Sequence, residues 1–104
     1  MMSSLNDRQK GFEGKFVHDA ELVFRAQMRR NRRLGLWAAD MMGQSGSEAG
    51  QYADALLATA LGENGGTRVF DQICVDLQGR AEPAEIRARM DTLLTEVWQE
   101  LRDG

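Results

Sequence analysis

The sequence predicts an all-α protein, a four-helix bundle with a mobile N-terminal arm. Three observations carry this. Apolar residues recur at helical spacing in four stretches separated by short breaks. No strand-like alternation of useful length, no repeat and no low-complexity linker interrupts them. The first stretch, Asn6 to Gly43, is too long for the other three to cover.

Met1 to Leu5 lacks periodicity and is expected to be disordered. Asn6 or Asp7 can cap the helix that follows. Its apolar stripe is Phe12, Phe16, Ala20, Val23, Phe24, Met28, Leu34, Ala38, Met41 and Met42, interrupted by Arg29 to Arg33 and ended by Gly43. A turn at Gln44 to Ser47 leads into a second helix, with Ser45 and Glu48 spaced as a capping box. That helix carries Ala53, Leu56, Leu57, Ala60 and Leu61 and stops at Gly62. The third starts near Thr67, buries Val69, Phe70, Ile73 and Leu77, and stops at Gly79. Pro83 suits the first turn of the fourth, where Glu85 favours the positive helix end and can pair with Arg89 four residues on. Its stripe is Ile86, Met90, Leu93, Leu94, Val97 and Leu101, with Trp98 alongside. Short connections make sequential helices antiparallel neighbours.

A helix from Asn6 to Gly43 would span ~55 Å at ~1.5 Å per residue. A compact domain of this size is only ~35 Å across, so about 12–16 residues overhang, fold back or are disordered. The N-terminal end is the expected overhang, because Gly11 and Gly14 each weaken a helix by ~1 kcal/mol relative to alanine. This divides the chain into an arm, residues 1–18, and a bundle, residues 19–104. Phe12, Phe16 and Val17 share one face of a helical arm, with Arg8, Glu13 and Lys15 among its charged flanks. Two aromatic anchors on a weak helix suit binding in a groove, ordered by the partner. The alternative is that Phe12 and Phe16 pack on the protein's own bundle.

Residues 1–36 hold eight basic and four acidic residues; the rest hold five arginines against twelve acidic residues. A basic first helix can therefore meet acidic later helices, or an outside anion. Arg25, Arg29 and Arg32 lie along one face, with Arg30 and Arg33 beside it. Such a face could grip phosphates. The plainer reading, which we favour, pairs these arginines with Glu21, Asp71, Asp76 or the fourth helix. Overall acidity and the lack of aromatic interleaving speak against nucleic acid.

No run of ~18 apolar residues offers a membrane span, the N-terminus is polar, and Cys74 is the only cysteine. A cytoplasmic protein is expected. Cys74 beside an apolar stripe reads as a small buried hydrophobe. His18, next to Asp19, could serve as a pH-sensitive hinge between arm and bundle, but one histidine does not make a metal site. The segment Gly62 to Gly66 lacks the Lys-Ser/Thr end of a phosphate loop and reads as a connector. Trp37, Met41 and Met42 read as core. Nothing suggests an enzyme or a cofactor.

The ordered series Asp7-Arg8, Phe12-Glu13, Lys15-Phe16, His18-Asp19-Ala20-Glu21, Arg29-Arg30-Asn31 and Leu34-Gly35-Leu36-Trp37-Ala38-Ala39 resembles the start of the zeta-type inhibitor subunit of bacterial F-type ATP synthases. The resemblance covers the whole chain and is densest over residues 6–43. It implies a helical bundle whose N-terminal region becomes helical on insertion into the catalytic head of the synthase. Insertion would occur at an α/β interface near γ, blocking rotation and so ATP hydrolysis, as the mitochondrial inhibitor protein does. On this reading the arm is Met1 to about His18. Its partner-binding residues are Arg8, Phe12, Glu13, Lys15, Phe16 and Val17, and the protein is peripheral to the membrane-bound synthase. Adenine nucleotide binding on the bundle is also implied, with Arg29 and Arg30 as the residues offered. Two other readings stand beside it, a nucleotide-binding helical module and a general helical adaptor. Gly11 and Gly14 depart from the pattern, where better helix formers are usual, which implies weaker inhibition than in relatives.

Overall fold

The computed structural model describes residues 20–103. The arm, with Arg8, Phe12, Glu13, Lys15, Phe16, Val17 and His18, lies outside the described residues. Four helices follow in order, α1 (Ala20–Met41), α2 (Gly46–Ala60), α3 (Gly65–Asp76) and α4 (Pro83–Asp103). No strand occurs among the described residues. α1 packs most extensively on α2 and next on α4, while α3 closes the far side by touching both α2 and α4.

The core is continuous. Leu34 and Ala38 of α1 meet Leu56 of α2, Val69 and Ile73 of α3, and Ile86, Met90 and Leu93 of α4, with Leu77 and Ala81 from the α3–α4 connection. Each falls at the spacing that puts it on one face of its helix. Trp37, Met41, Met42, Phe70 and Cys74 pack partly buried against this cluster. Burial, and then the charge of Asp71, push the Cys74 thiol upward, so it stays protonated.

Contact between α1 and α2 is unusually close at Gly35. A β-carbon there would sit 3.0 Å from Ala53 Cα and 3.0 Å from Leu56 Cδ1. Fully buried Ala38 and Ala39 on α1, with buried Ala49 and Ala53 on α2, complete a seam of small residues.

Helix ends follow the expected breaks, with three corrections to the local readings. Gly43 adopts φ +80°, and Gln44 N–H closes back on the Ala39 carbonyl at 2.9 Å, ending α1 as a glycine C-terminal motif should. Ser45 occupies the N-cap of α2 in an extended conformation, but its side chain makes no capping hydrogen bond. The first helical residue, Gly46, sits at φ +61°. α3 starts at Gly65 rather than near Thr67. Asn64 takes the left-handed conformation, and Gly65 passes so close to the Ala60 carbonyl that no side chain fits. Finally, Arg89 does not pair with Glu85; its guanidinium lies 5.2 Å from the Trp37 ring centre, across the α1–α4 groove.

Tyr52 of α2 donates its hydroxyl hydrogen bond to Asp76 Oδ2 of α3 at 2.6 Å, and Gln72 Nε2 donates to Oδ1 of the same carboxylate at 2.9 Å. Burial, then the Asp76 hydrogen bond and charge, raise the Tyr52 pKa above its ordinary value. The neutral phenol is therefore favoured by folding. Its contribution is complete below the unfolded value of ~10 and is lost as pH rises through the folded value. Tyr52→Phe is expected to cost about 1–2 kcal/mol at neutral pH. Chemical denaturation at pH 7 and above pH ~10 should show a loss that shrinks on the alkaline side.

Candidate interaction surface at the root of the arm

The arginines of α1 are held by carboxylates of the bundle. Arg33 grips Glu100 of α4 with both terminal nitrogens, at 2.9 Å and 2.5 Å, and Arg29 approaches the same carboxylate at 3.9 Å. Hydrogen bonding from Arg33, and further the charges of Arg33 and Arg29, hold the Glu100 carboxyl below the usual carboxylate range. The clasp is therefore present at neutral pH and weakens as pH falls through that lowered value. Arg32 pairs with Asp54 of α2 at 2.5 Å, and Arg25 with Glu21 one turn earlier at 3.5 Å. Pairing with Glu21 and the fourth helix is as the favoured reading had it. Asp71 and Asp76 take none of these arginines among the described residues; Asp54 does instead, and Asp76 serves Tyr52 and Gln72. Exposed pairs of this kind add little stability but fix how α1 lies on its neighbours.

Arg29 and Arg30 do not converge on one site. Arg29 stays exposed against Glu100, whereas Arg30 turns into the bundle and is 8% exposed. Its Nε donates to Asn31 Oδ1 at 2.7 Å. Burial lowers the Arg30 pKa, with the Asp91 carboxylate pulling it back up and Arg87 pushing it down. Among the described residues no cluster of three or more His, Cys, Asp or Glu could hold a metal ion. No described helix is long and apolar enough to cross a membrane.

The register of these contacts shows where cover of α1 ends. Trp37 faces Arg89 and Arg33 faces Glu100, so α4 runs antiparallel to α1 and ends near the level of Arg29 and Arg30. Gly35 faces Ala53, so the end of α2 lies near Met28. Ala26 is the first fully buried residue of α1; from Ala20 to Arg25 none is buried. Phe24, expected in the core stripe, is 49% exposed. Leu61, also expected in a core stripe, is 64% exposed at the C-terminal end of α2. Both sit where the bundle's cover gives out, which periodicity alone does not reveal.

The family model described as ATPase inhibitor subunit zeta matches residues 2–100 of the chain. No curated protein is significantly similar to it, and no solved structure is either.

Proposed function

The chain belongs to the ATPase inhibitor subunit zeta family, a family of regulatory rather than catalytic proteins, and from this premise we propose that it restrains ATP hydrolysis by the F-type ATP synthase through its N-terminal arm. The arm, residues 1–18, enters the catalytic head at an α/β interface near γ and folds there as a helix. Phe12, Phe16 and Val17 form its apolar face, and Arg8, Glu13 and Lys15 meet polar groups at the groove's rim. The bundle is the anchor that gives the wedge its bulk. Blocking rotation needs a rigid obstacle, not chemistry.

The observation that carries this reading is the span of the family match, which begins at residue 2 and so includes the arm. Internal pairing of Arg25, Arg29, Arg32 and Arg33 leaves the bundle's strongest basic face occupied by its own carboxylates. That favours a role carried by the arm over one carried by a phosphate-gripping face.

Titrating the protein into its cognate catalytic head while following ATP hydrolysis tests the reading: hydrolysis should fall saturably, and an unchanged rate would refute it. The titration also tests whether the bound arm is helical. Gly11→Ala with Gly14→Ala removes up to ~2 kcal/mol of helix penalty. The double variant should inhibit at up to ~30-fold lower concentration. Equal or weaker inhibition would show that the bound arm is not helical at these positions.

A further inference from the structure

We propose that the inhibitory footprint does not end with the arm but continues onto α1, with Phe24 as an apolar anchor seated in the same groove of the catalytic head. The inference rests on the functional reading above and extends it to a residue inside a well-formed helix.

Three observations place Phe24 there. At about 100° per residue, Phe24 lies within about 20° of both Asn31, seven residues on, and Gly35, eleven residues on. Those two positions are buried against the bundle. Phe24 therefore points along the line that Gly35 turns to α2, yet half of its surface is open because α2 has ended near Met28, while Ala26 on the other side of α1 is still buried. Its exposure is the bundle stopping short, not the helix turning a polar side outward.

The second observation is continuity. No glycine or proline occurs between Lys15 and Leu34, so a helix formed by the arm on its partner can run into α1 without a break. In that register Val17, seven residues before Phe24, lies on the same line, and Ala20 lies beside it. The partner surface that takes Val17 is then the surface that meets Phe24. The third is electrostatic. Glu21 and Arg25, the charged residues next to Phe24, pair with each other, so an apolar groove can close over the ring without stranding an unpaired charge.

The test compares Phe24→Ala with Val75→Ala in the hydrolysis titration on the cognate catalytic head. Val75 is 65% exposed on α3 rather than α1, and serves as the control for loss of any surface apolar group. Phe24→Ala should raise the half-inhibitory concentration roughly ten- to a hundredfold, as expected for the open half of a phenyl ring at a protein interface. Its thermal midpoint should match the parent, since Phe24 is outside the core, and Val75→Ala should inhibit as the parent does. Parental potency in Phe24→Ala overturns the inference, as does an equal loss in Val75→Ala. If Phe24→Ala keeps full potency but abolishes a concentration-dependent dimer in sedimentation, the occupant is a second copy and the inference also falls. Loss of inhibition on arm deletion with parental potency in Phe24→Ala would remove this inference alone. Inhibition that survives arm deletion would remove the arm reading and this inference with it.

Discussion

Replacing Gly35 by leucine is expected to lower the stability of the bundle by about 3 kcal/mol, the upper part of the range for overpacked cores. Even a β-carbon at this position would press on the Ala53 backbone and the Leu56 side chain, each at 3.0 Å. A leucine adds three further carbons where α1 and α2 already touch. Backbone cannot rotate away as a side chain can, so the helices must separate along the seam formed with Ala38, Ala39, Ala49 and Ala53. A loss of this size is a large share of a marginal stability of about 5–15 kcal/mol. It corresponds to a fall in thermal midpoint of roughly 12–24 °C for a domain of this size. Gly50 supplies the contrast. It lies within α2 with no neighbour near a built β-carbon, so Gly50→Ala should raise stability by up to ~1 kcal/mol through helix propensity. Thermal unfolding of both variants, followed by circular dichroism, checks the pair. A neutral Gly35→Leu would mean that the seam is not close-packed.

That contrast shows what the sequence could express about the fold. Four helices, their order, the proline start of α4 and the core stripes through Leu56, Ile73, Ile86 and Met90 were legible because amphipathic spacing and helix breakers are local signals. Gly35 and Gly50 look alike in the sequence; only the approach of a second helix distinguishes them. Asp54 as the partner of Arg32, and Trp37 as the partner of Arg89, depend on the tilt between helices, which periodicity does not encode. Ser45 carried the right residue type for a cap and occupies the N-cap, yet its side chain makes no capping bond, and residue type alone does not fix the geometry of that bond.

The surface at the arm root was half legible. Length arithmetic required an overhang at the N-terminal end of the first helix, and from Ala20 to Arg25 α1 has no fully buried residue, with only Leu22 and Val23 half-buried. Phe24, however, was assigned to the core because it falls at core spacing. A stripe fixes direction around the helix axis; it does not state how far along that axis the covering helices extend.

Deletion of Met1 to Val17 carries the other large expected effect. Two phenylalanine side chains of about 150–250 Å² each, buried at ~25 cal/mol per Å², supply roughly 7–12 kcal/mol before the cost of ordering the arm. A few kcal/mol should survive that cost, which places the loss on deletion at about a hundred- to ten-thousandfold in potency. The bundle should be untouched, because its core is built from residues downstream of Arg25.

The most direct test of the central claim is therefore one paired titration. Full-length protein and protein lacking residues 1–17, both verified as folded by their thermal midpoints, are added to the cognate catalytic head during ATP hydrolysis. The account predicts saturable inhibition by the full-length protein and, for the shortened one, a half-inhibitory concentration higher by at least about a hundredfold. Equal inhibition by the two proteins would contradict it.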